Sequence, residues 1–316
     1  MKIFVDYPDH VLTNSSLGNE FENINLKRLE KKLGIYQRYV AEDRETAYDL
    51  AKKVCAKISS NELNKVDFLI YCTQSPEYFL PSTACVLQNE IGLKKSCGAF
   101  DFNLGCSGYI YGLAMAKSFL QSGVASKVLF VTSETYSKHI HKEDWSNRAI
   151  FGDAATATIL DKEDLNKIGE FDLGTDGEGA ENLIVKGGAG KSKFKQNFEK
   201  ENLLNMNGPE VFQFTLENVP LTVQACLEKN GKTIEDVDYV IFHQANAYML
   251  KNLRKKVGLD EDKFYVNVKN IGNTVSNTIP IALEDSLKRS LIKSGDCVLL
   301  CGFGVGYSWG TTLINI

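Results

Sequence analysis

GAFDFNLGCSGYIYGLAMAKSFLQSG, Gly98–Gly123, holds a strand, a turn and a helix in unbroken succession. Gly98 to Asn103, with Phe100 and Phe102 alternating, reads as a strand. Leu104-Gly105-Cys106-Ser107-Gly108 is a tight, glycine-flanked turn, and an amphipathic helical pattern follows from Gly108 to Gln121 before Ser122-Gly123 stops it. The same alternation extends in both directions. Strands are expected at Phe68–Cys72, Lys127–Thr132, Ala154–Leu160, Tyr239–His243, Cys297–Gly302 and Thr311–Ile316. Helical periodicity marks Glu45–Ile58, Ser82–Ile91, Val211–Lys229, Ala247–Val257 and Thr278–Lys293. Strands alternating with helices predict an α/β fold. Residues 174–207, rich in Gly, Lys and Asn, read as a loop excursion.

The pattern also repeats. Val66-Asp67-Phe68-Leu69-Ile70-Tyr71 is echoed by Val237-Asp238-Tyr239-Val240-Ile241-Phe242 about half a chain later. Leu104-Gly105-Cys106 has a counterpart in Ile271-Gly272-Asn273. Each is followed by a helix ending in Ser-Gly (Ser122-Gly123, Ser294-Gly295) and then by an apolar strand. Three matches in one order indicate two copies of a βα module, with halves 1–165 and 166–316 and a site where they meet.

Bulk properties exclude several classes. The 316 residues are 43% hydrophobic and 24% charged, enough to bury a large core. A net charge of −4 offers no basic field for nucleic acid. MKIFVDYPDH lacks the apolar region of a signal peptide, and the apolar stretch Val298–Ile316 is interrupted by glycines, so no membrane partner and a cytoplasmic location are expected. The eight cysteines form no CxxC pair, and His10, His139, His141 and His243 have no matching cysteine spacing, so no metal site is expected. Most cysteines lie in apolar runs and read as small core residues.

Cys106 differs from the others. At a helix start, unpaired N–H groups and the dipole favour an anion, and such placement can lower a thiol pKa from about 8.5 into the range ~3.5–7.5. His243 ends a strand just before a helix, a common site position in open α/β sheets, although taken alone a buried core histidine is the commoner reading. Asn273 reads alone as a turn or N-cap residue, but the repeat sets it equivalent to Cys106. Gly302-Phe303-Gly304-Val305-Gly306 lacks nucleotide-loop spacing and instead suits backbone N–H donors aimed at a substrate oxyanion.

Six blocks together, GAFDFNLGCSGYIYGLAMAKSFLQSG, AIFGDAATATIL, NMNGPEVFQF, HQAN, NIGNTVSNTIP and GFGVGYSWG, resemble the β-ketoacyl-acyl carrier protein synthase III family of the thiolase superfamily over nearly the whole chain. The resemblance implies a five-layered αβαβα homodimer and a Cys106–His243–Asn273 triad. Cys106 would carry an acyl group, with Cys106, Gly304, Val305 and Gly306 supplying the oxyanion hole. His243 and Asn273 would hold the enolate formed from malonyl-acyl carrier protein by loss of CO2. Coenzyme A or phosphopantetheine thioesters enter as substrates, no bound cofactor is implied, and acyl carrier protein is the implied partner. Phe79 and Leu80 are expected at the acyl pocket. Arg28, Trp145, Arg148, Arg254, Lys255 and Lys256 are expected at the coenzyme A or carrier contacts.

The chain departs from the family pattern at several of these points. Arg28 stands where a tryptophan is usual, Trp145 where an arginine is usual, and Tyr248 where a basic residue is usual. Leu80 replaces an aromatic residue and Val305 a glycine. These changes bear on the primer: acetyl is no longer the default, and secondary pathways building acyl groups become candidates beside fatty acid synthesis. Two other readings stay open, a plain acyltransferase that releases no CO2 and a non-catalytic partner subunit of an acyl-carrier complex.

Overall fold

The computed structural model describes residues 1–21, 25–194 and 202–316. Along the chain the strands are β1 (Lys2–Asp6), β2 (Val11–Thr13), β3 (Gln37–Tyr39), β4 (Phe68–Cys72), β5 (Gly98–Phe102), β6 (Lys127–Glu134), β7 (Ala154–Asp161), β8 (Ile168–Thr175), β9 (Leu183–Val185), β10 (Leu204–Met206), β11 (Tyr239–Phe242), β12 (Cys297–Gly304) and β13 (Ser308–Asn315). One sheet has the order β1-β7-β6-β4-β5, the other β8-β13-β12-β11. In the first, β4 runs parallel to β5 and β6, while β7 is antiparallel to both β6 and β1. In the second, β11 runs parallel to β12, and β13 is antiparallel to β12 and β8. A lone parallel bridge from Val240 to Phe264 stands beside β11, where the first sheet has β5. Order and sense therefore match between the sheets. Their central strands β6 and β12 are buried on both faces, which is why they read as continuous apolar runs and not as alternation.

Five layers follow from the helix contacts. Helices Gly108–Ser122 and Thr278–Lys288 each touch strands of both sheets and form the middle layer. Ala47–Cys55 and Thr83–Glu90 cover the outer face of the first sheet. Gly208–Lys229 covers that of the second, with Ala247–Val257 packed against it. The Ala47–Cys55 helix starts with a reciprocal cap, Thr46 bonding the Asp49 N–H and Asp49 bonding back, and buries Leu50, Ala51, Val54 and Cys55.

Two readings change. Residues 174–207 are not a plain loop: β9 and β10 pair antiparallel, flanked by 3-10 turns at Gly177–Asn182 and Ala189–Phe194, while residues 195–201 lie outside the described residues. Strand β8 was not legible in the sequence. It is an edge strand, and two of its residues are glycines because neighbours occupy the Cβ space: Asn230 Oδ1 at 2.3 Å for Gly169 and the Trp309 ring at 2.2 Å for Gly174. Glycine in place of side chains erases the alternation that marks a strand.

Gly112 lies inside the central helix Gly108–Ser122, where glycine costs about 1 kcal/mol relative to alanine. The Phe130 ring from β6 accounts for it, since a Cβ would sit 2.0 Å from Phe130 Cζ. Gly112→Ala is expected to lower stability by about 1–3 kcal/mol despite its better helix propensity. Thermal unfolding checks this, and an unchanged or raised Tm would contradict it.

Candidate active site

Strand β5 delivers the chain into the turn that carries Cys106, closed by a Gly108 N–H to Gly105 O bond of 2.8 Å. Strand β12 of the other sheet passes directly over it. A Cβ on Gly302 would lie 2.8 Å from Cys106 O, and one on Gly304 would lie 2.9 Å from Cys106 Cβ and 3.1 Å from Sγ. Only glycine permits that approach. Strand β11 runs parallel to β12 and ends at His243, whose N–H donates to Cys301 O at 2.7 Å. The Asn273 loop is held by the first half: Asn273 N donates to Ile150 O and Gly152 N to Asn273 O, both at 2.9 Å. Cys106, His243 and Asn273 thereby line one cavity of about 420 Å³, with Gly304. Its remaining wall is mostly apolar, including Tyr136, Phe151, Met206, Phe212, Met249 and Phe303.

The orientation of each polar group is determined by its partners. Asn273 Oδ1 accepts from Val275 N at 2.9 Å, which leaves the Nδ2 amide hydrogens for the cavity. His243 is 2% exposed, stands edge-on to Phe303, and its Nδ1 lies 2.7 Å from Thr278 Oγ1. Burial lowers its pKa to about 3, so the imidazole is neutral across the working pH range. Glu134, at the end of β6, is fully buried and accepts from Gln74 N at 3.0 Å and Ser276 Oγ at 2.9 Å. Burial pushes its pKa up to about 8.

The expected low thiol pKa at Cys106 is not what the structure supports. The helix start is present, but burial, followed by the field of Glu134, pushes the Cys106 thiol well above its usual range. A helix terminus contributes about 0.3–2 kcal/mol, or roughly one pKa unit, whereas full desolvation can amount to about 3–5 units. Burial wins. The free site therefore pairs a neutral thiol with a neutral imidazole.

Other expected contacts are distributed differently. Val305 and Gly306 do not line the cavity, and Val305 packs over Gly105. Phe79 and Leu80 are 78% and 83% exposed and border a separate surface depression, so they form no part of the Cys106 cavity within their own chain. Arg28 is on the surface, Trp145 is partly exposed, and neither lines the cavity. Arg148 is clamped by both oxygens of Glu20 at 2.7 and 3.1 Å. Arg254 is tied to Leu259 O and Glu261, which locks the end of its own helix, while Lys255 and Lys256 are exposed and have no ion-pair partner among the described residues. The basic residue at the cavity is instead Lys32, 5.9 Å from the Tyr248 ring, which packs on Phe212 at 5.5 Å. Lys32 was missed in the sequence, although it lies one helical turn after Arg28 and so on the same face. Among the described residues no cluster of metal-ligating side chains occurs, and no helix is long and apolar enough to cross a membrane.

Comparison with known proteins is consistent along the whole chain. The family model for 3-oxoacyl-[acyl-carrier-protein (ACP)] synthase III matches residues 100–177, and the model for its C-terminal part matches residues 227–316. A beta-ketoacyl-[acyl-carrier-protein] synthase III of Clostridium perfringens is 36% identical over 315 residues, covering 98% of this chain and 96% of its own. A 3-oxoacyl-(acyl-carrier-protein) synthase III crystal structure superposes with a TM-score of 0.96 at 41% identity, covering 100% of this chain and 98% of that one. The synthase III from Thermus thermophilus gives 0.89 at 32%, covering 99% and 98%.

A thiol whose pKa is raised should react faster as pH rises, without a plateau near neutrality. Alkylation of Cys106, followed by peptide mapping to separate it from the exposed Cys85, is expected to climb about tenfold per pH unit between about pH 6 and 9. A plateau above about pH 7 would show a depressed thiol instead.

Proposed function

Since this chain belongs to the β-ketoacyl-acyl carrier protein synthase III family and is a condensing enzyme of fatty acid biosynthesis type, we propose that Cys106, His243 and Asn273 carry its two half-reactions. The observation behind this reading is their convergence on one apolar-walled cavity from three separate turns. In the first half, Cys106 Sγ attacks the carbonyl carbon of an acyl thioester. Backbone N–H groups at Cys106 and Gly304 receive the oxyanion, and the departing thiolate takes up the Cys106 proton. Because the thiol is neutral beforehand, attack and proton loss are coupled.

In the second half, malonyl-acyl carrier protein enters and its thioester carbonyl faces His243 and Asn273. Loss of CO2 leaves an enolate, which these donors stabilise by about 3–4 kcal/mol each between apolar walls. The enolate carbon attacks the acyl-Cys106 carbonyl, the Cys106 thiolate leaves and is reprotonated, and a β-ketoacyl thioester departs. Coenzyme A and phosphopantetheine act as substrate handles, and no resident cofactor takes part.

The same reading extends to assembly and organisation. The two halves, 1–165 and 166–316, are copies whose turns meet at the site. The exposed Tyr78-Phe79-Leu80 run suits a homodimer in which one subunit closes the acyl pocket of the other. With Leu80 in place of an aromatic residue there, a primer longer than acetyl is accommodated. Lys255 and Lys256, free on the helix end, suit an acidic carrier protein. A chain that functions in the cytoplasm fits these substrates. A plain acyltransferase would release no CO2 from malonyl thioester, which separates it from this reading.

Cys106→Ala should abolish the acyl adduct seen by intact mass after incubation with acyl thioesters. His243→Ala and Asn273→Ala should still acylate but release CO2 from malonyl thioester about 10²–10³ times more slowly. Normal release in both variants would remove malonyl chemistry from their role. Charge reversal at Lys255 and Lys256 should reduce turnover with malonyl-acyl carrier protein, most at low salt, and leave malonyl-CoA turnover nearly unchanged. Equal loss with both substrates would exclude a docking role.

A further inference from the structure

Resting on the role proposed for His243, we propose that Thr278 is a positioning residue that assigns the His243 proton to Nε2, making the imidazole a hydrogen-bond donor to the cavity. A neutral imidazole has one N–H, and either nitrogen can carry it. On Nε2 it can stabilise an enolate. On Nδ1 it leaves Nε2 as a lone-pair acceptor, which opposes a developing oxyanion. The choice therefore decides what chemistry His243 can perform.

The hydrogen-bond distances around Thr278 support the assignment. Thr278 Oγ1 has one hydrogen and two acceptors within reach, His243 Nδ1 at 2.7 Å and Val275 O at 3.1 Å. Val275 O already accepts the backbone N–H of Thr278. A carbonyl oxygen can accept twice, so that bond alone does not turn the hydroxyl away; the shorter distance is what favours delivery of the hydroxyl hydrogen to Nδ1. Nδ1 then accepts, and the ring proton resides on Nε2. Both side chains are buried, so no water competes for these positions.

The same short segment orients the second donor. Val275 N, in a residue whose φ is +58°, donates to Asn273 Oδ1 at 2.9 Å and turns the amide hydrogens towards the cavity. Asn273–Thr278 is therefore one device that presents two N–H donors and no base. Such a site stabilises an enolate that arises by loss of CO2, and it does not remove a proton from an unactivated thioester.

The test compares Thr278→Val, which keeps the shape and removes the hydroxyl, with Thr278→Ser, which keeps it. Thr278→Val is expected to lower kcat for malonyl decarboxylation about 10- to 100-fold with little change in KM, while acylation of Cys106 stays within about threefold. Thr278→Ser should retain decarboxylation within about threefold of the parent protein. Nitrogen-15 NMR of histidine-labelled protein, with His243 assigned by its loss in His243→Gln, should show the Nε2–H form in the parent and a mixed population in Thr278→Val. An Nδ1–H form in the parent, or a Thr278→Val variant decarboxylating at the parent rate, would overturn the proposal. So would equal loss of acylation and decarboxylation, which marks a merely structural role. Unchanged decarboxylation in His243→Ala would instead defeat the underlying role of His243, separately from anything Thr278 does.

Discussion

The site exists because two backbones touch where no side chain fits. Strand β12 of the second sheet lies against the Cys106 turn of the first, and Cβ atoms at Gly302 or Gly304 would come within 2.9 Å of Cys106 atoms or closer. The Asn273 loop makes a second such contact: Gly272, at φ +69°, would put a Cβ 2.7 Å from Ile150 O. Asn277 adds a polar tie between the halves, accepting from Thr132 Oγ1 at 2.6 Å and donating to Ala154 O at 3.0 Å. These contacts register the two sheets against each other. A shift along β12 would move His243, whose N–H is tied to Cys301 O, relative to the thiol.

Burial then sets the electrostatics. Cys106, His243 and Glu134 all prefer their neutral forms because the surroundings cannot solvate charge. Apolar, uncharged surroundings at the cavity floor strengthen each N–H dipole that faces it. In the proposed reaction the one charge needed arrives on the substrate as a carboxylate, stays on the enolate held by two donors when neutral CO2 departs, and ends on the Cys106 thiolate, which is reprotonated. Glu134, beneath the thiol and linked to both Gln74 and Ser276, ties the loop leading to Tyr78–Leu80 to the Asn273 segment.

The mouth of the cavity carries the chain's individuality. Lys32, Tyr248 and Phe212 form its rim, whereas Arg148 and Arg254 are taken up by Glu20 and Glu261. A charge read from sequence is available to a ligand only when no nearby carboxylate has claimed it, and that depends on neighbours distant in the chain. Glu20 and Arg148 are an instance.

Much was legible in the residue order alone. Apolar runs and helical periodicity located β4 to β7 and β11 to β13, because strand and helix patterns are local. The similarity of Leu104-Gly105-Cys106 to Ile271-Gly272-Asn273 pointed to two of the three turns that line the cavity, because each carries a glycine just before the residue that faces it. Edge strand β8 escaped, because its glycines answer to Asn230 and Trp309, far away in sequence. The protonation of Cys106 escaped too: the helix start is local, but the burial that outweighs it is a property of the packed whole. The Thr278 contact with His243 belongs to the same class, because a hydroxyl's single hydrogen is allotted only once its competing acceptors stand in place.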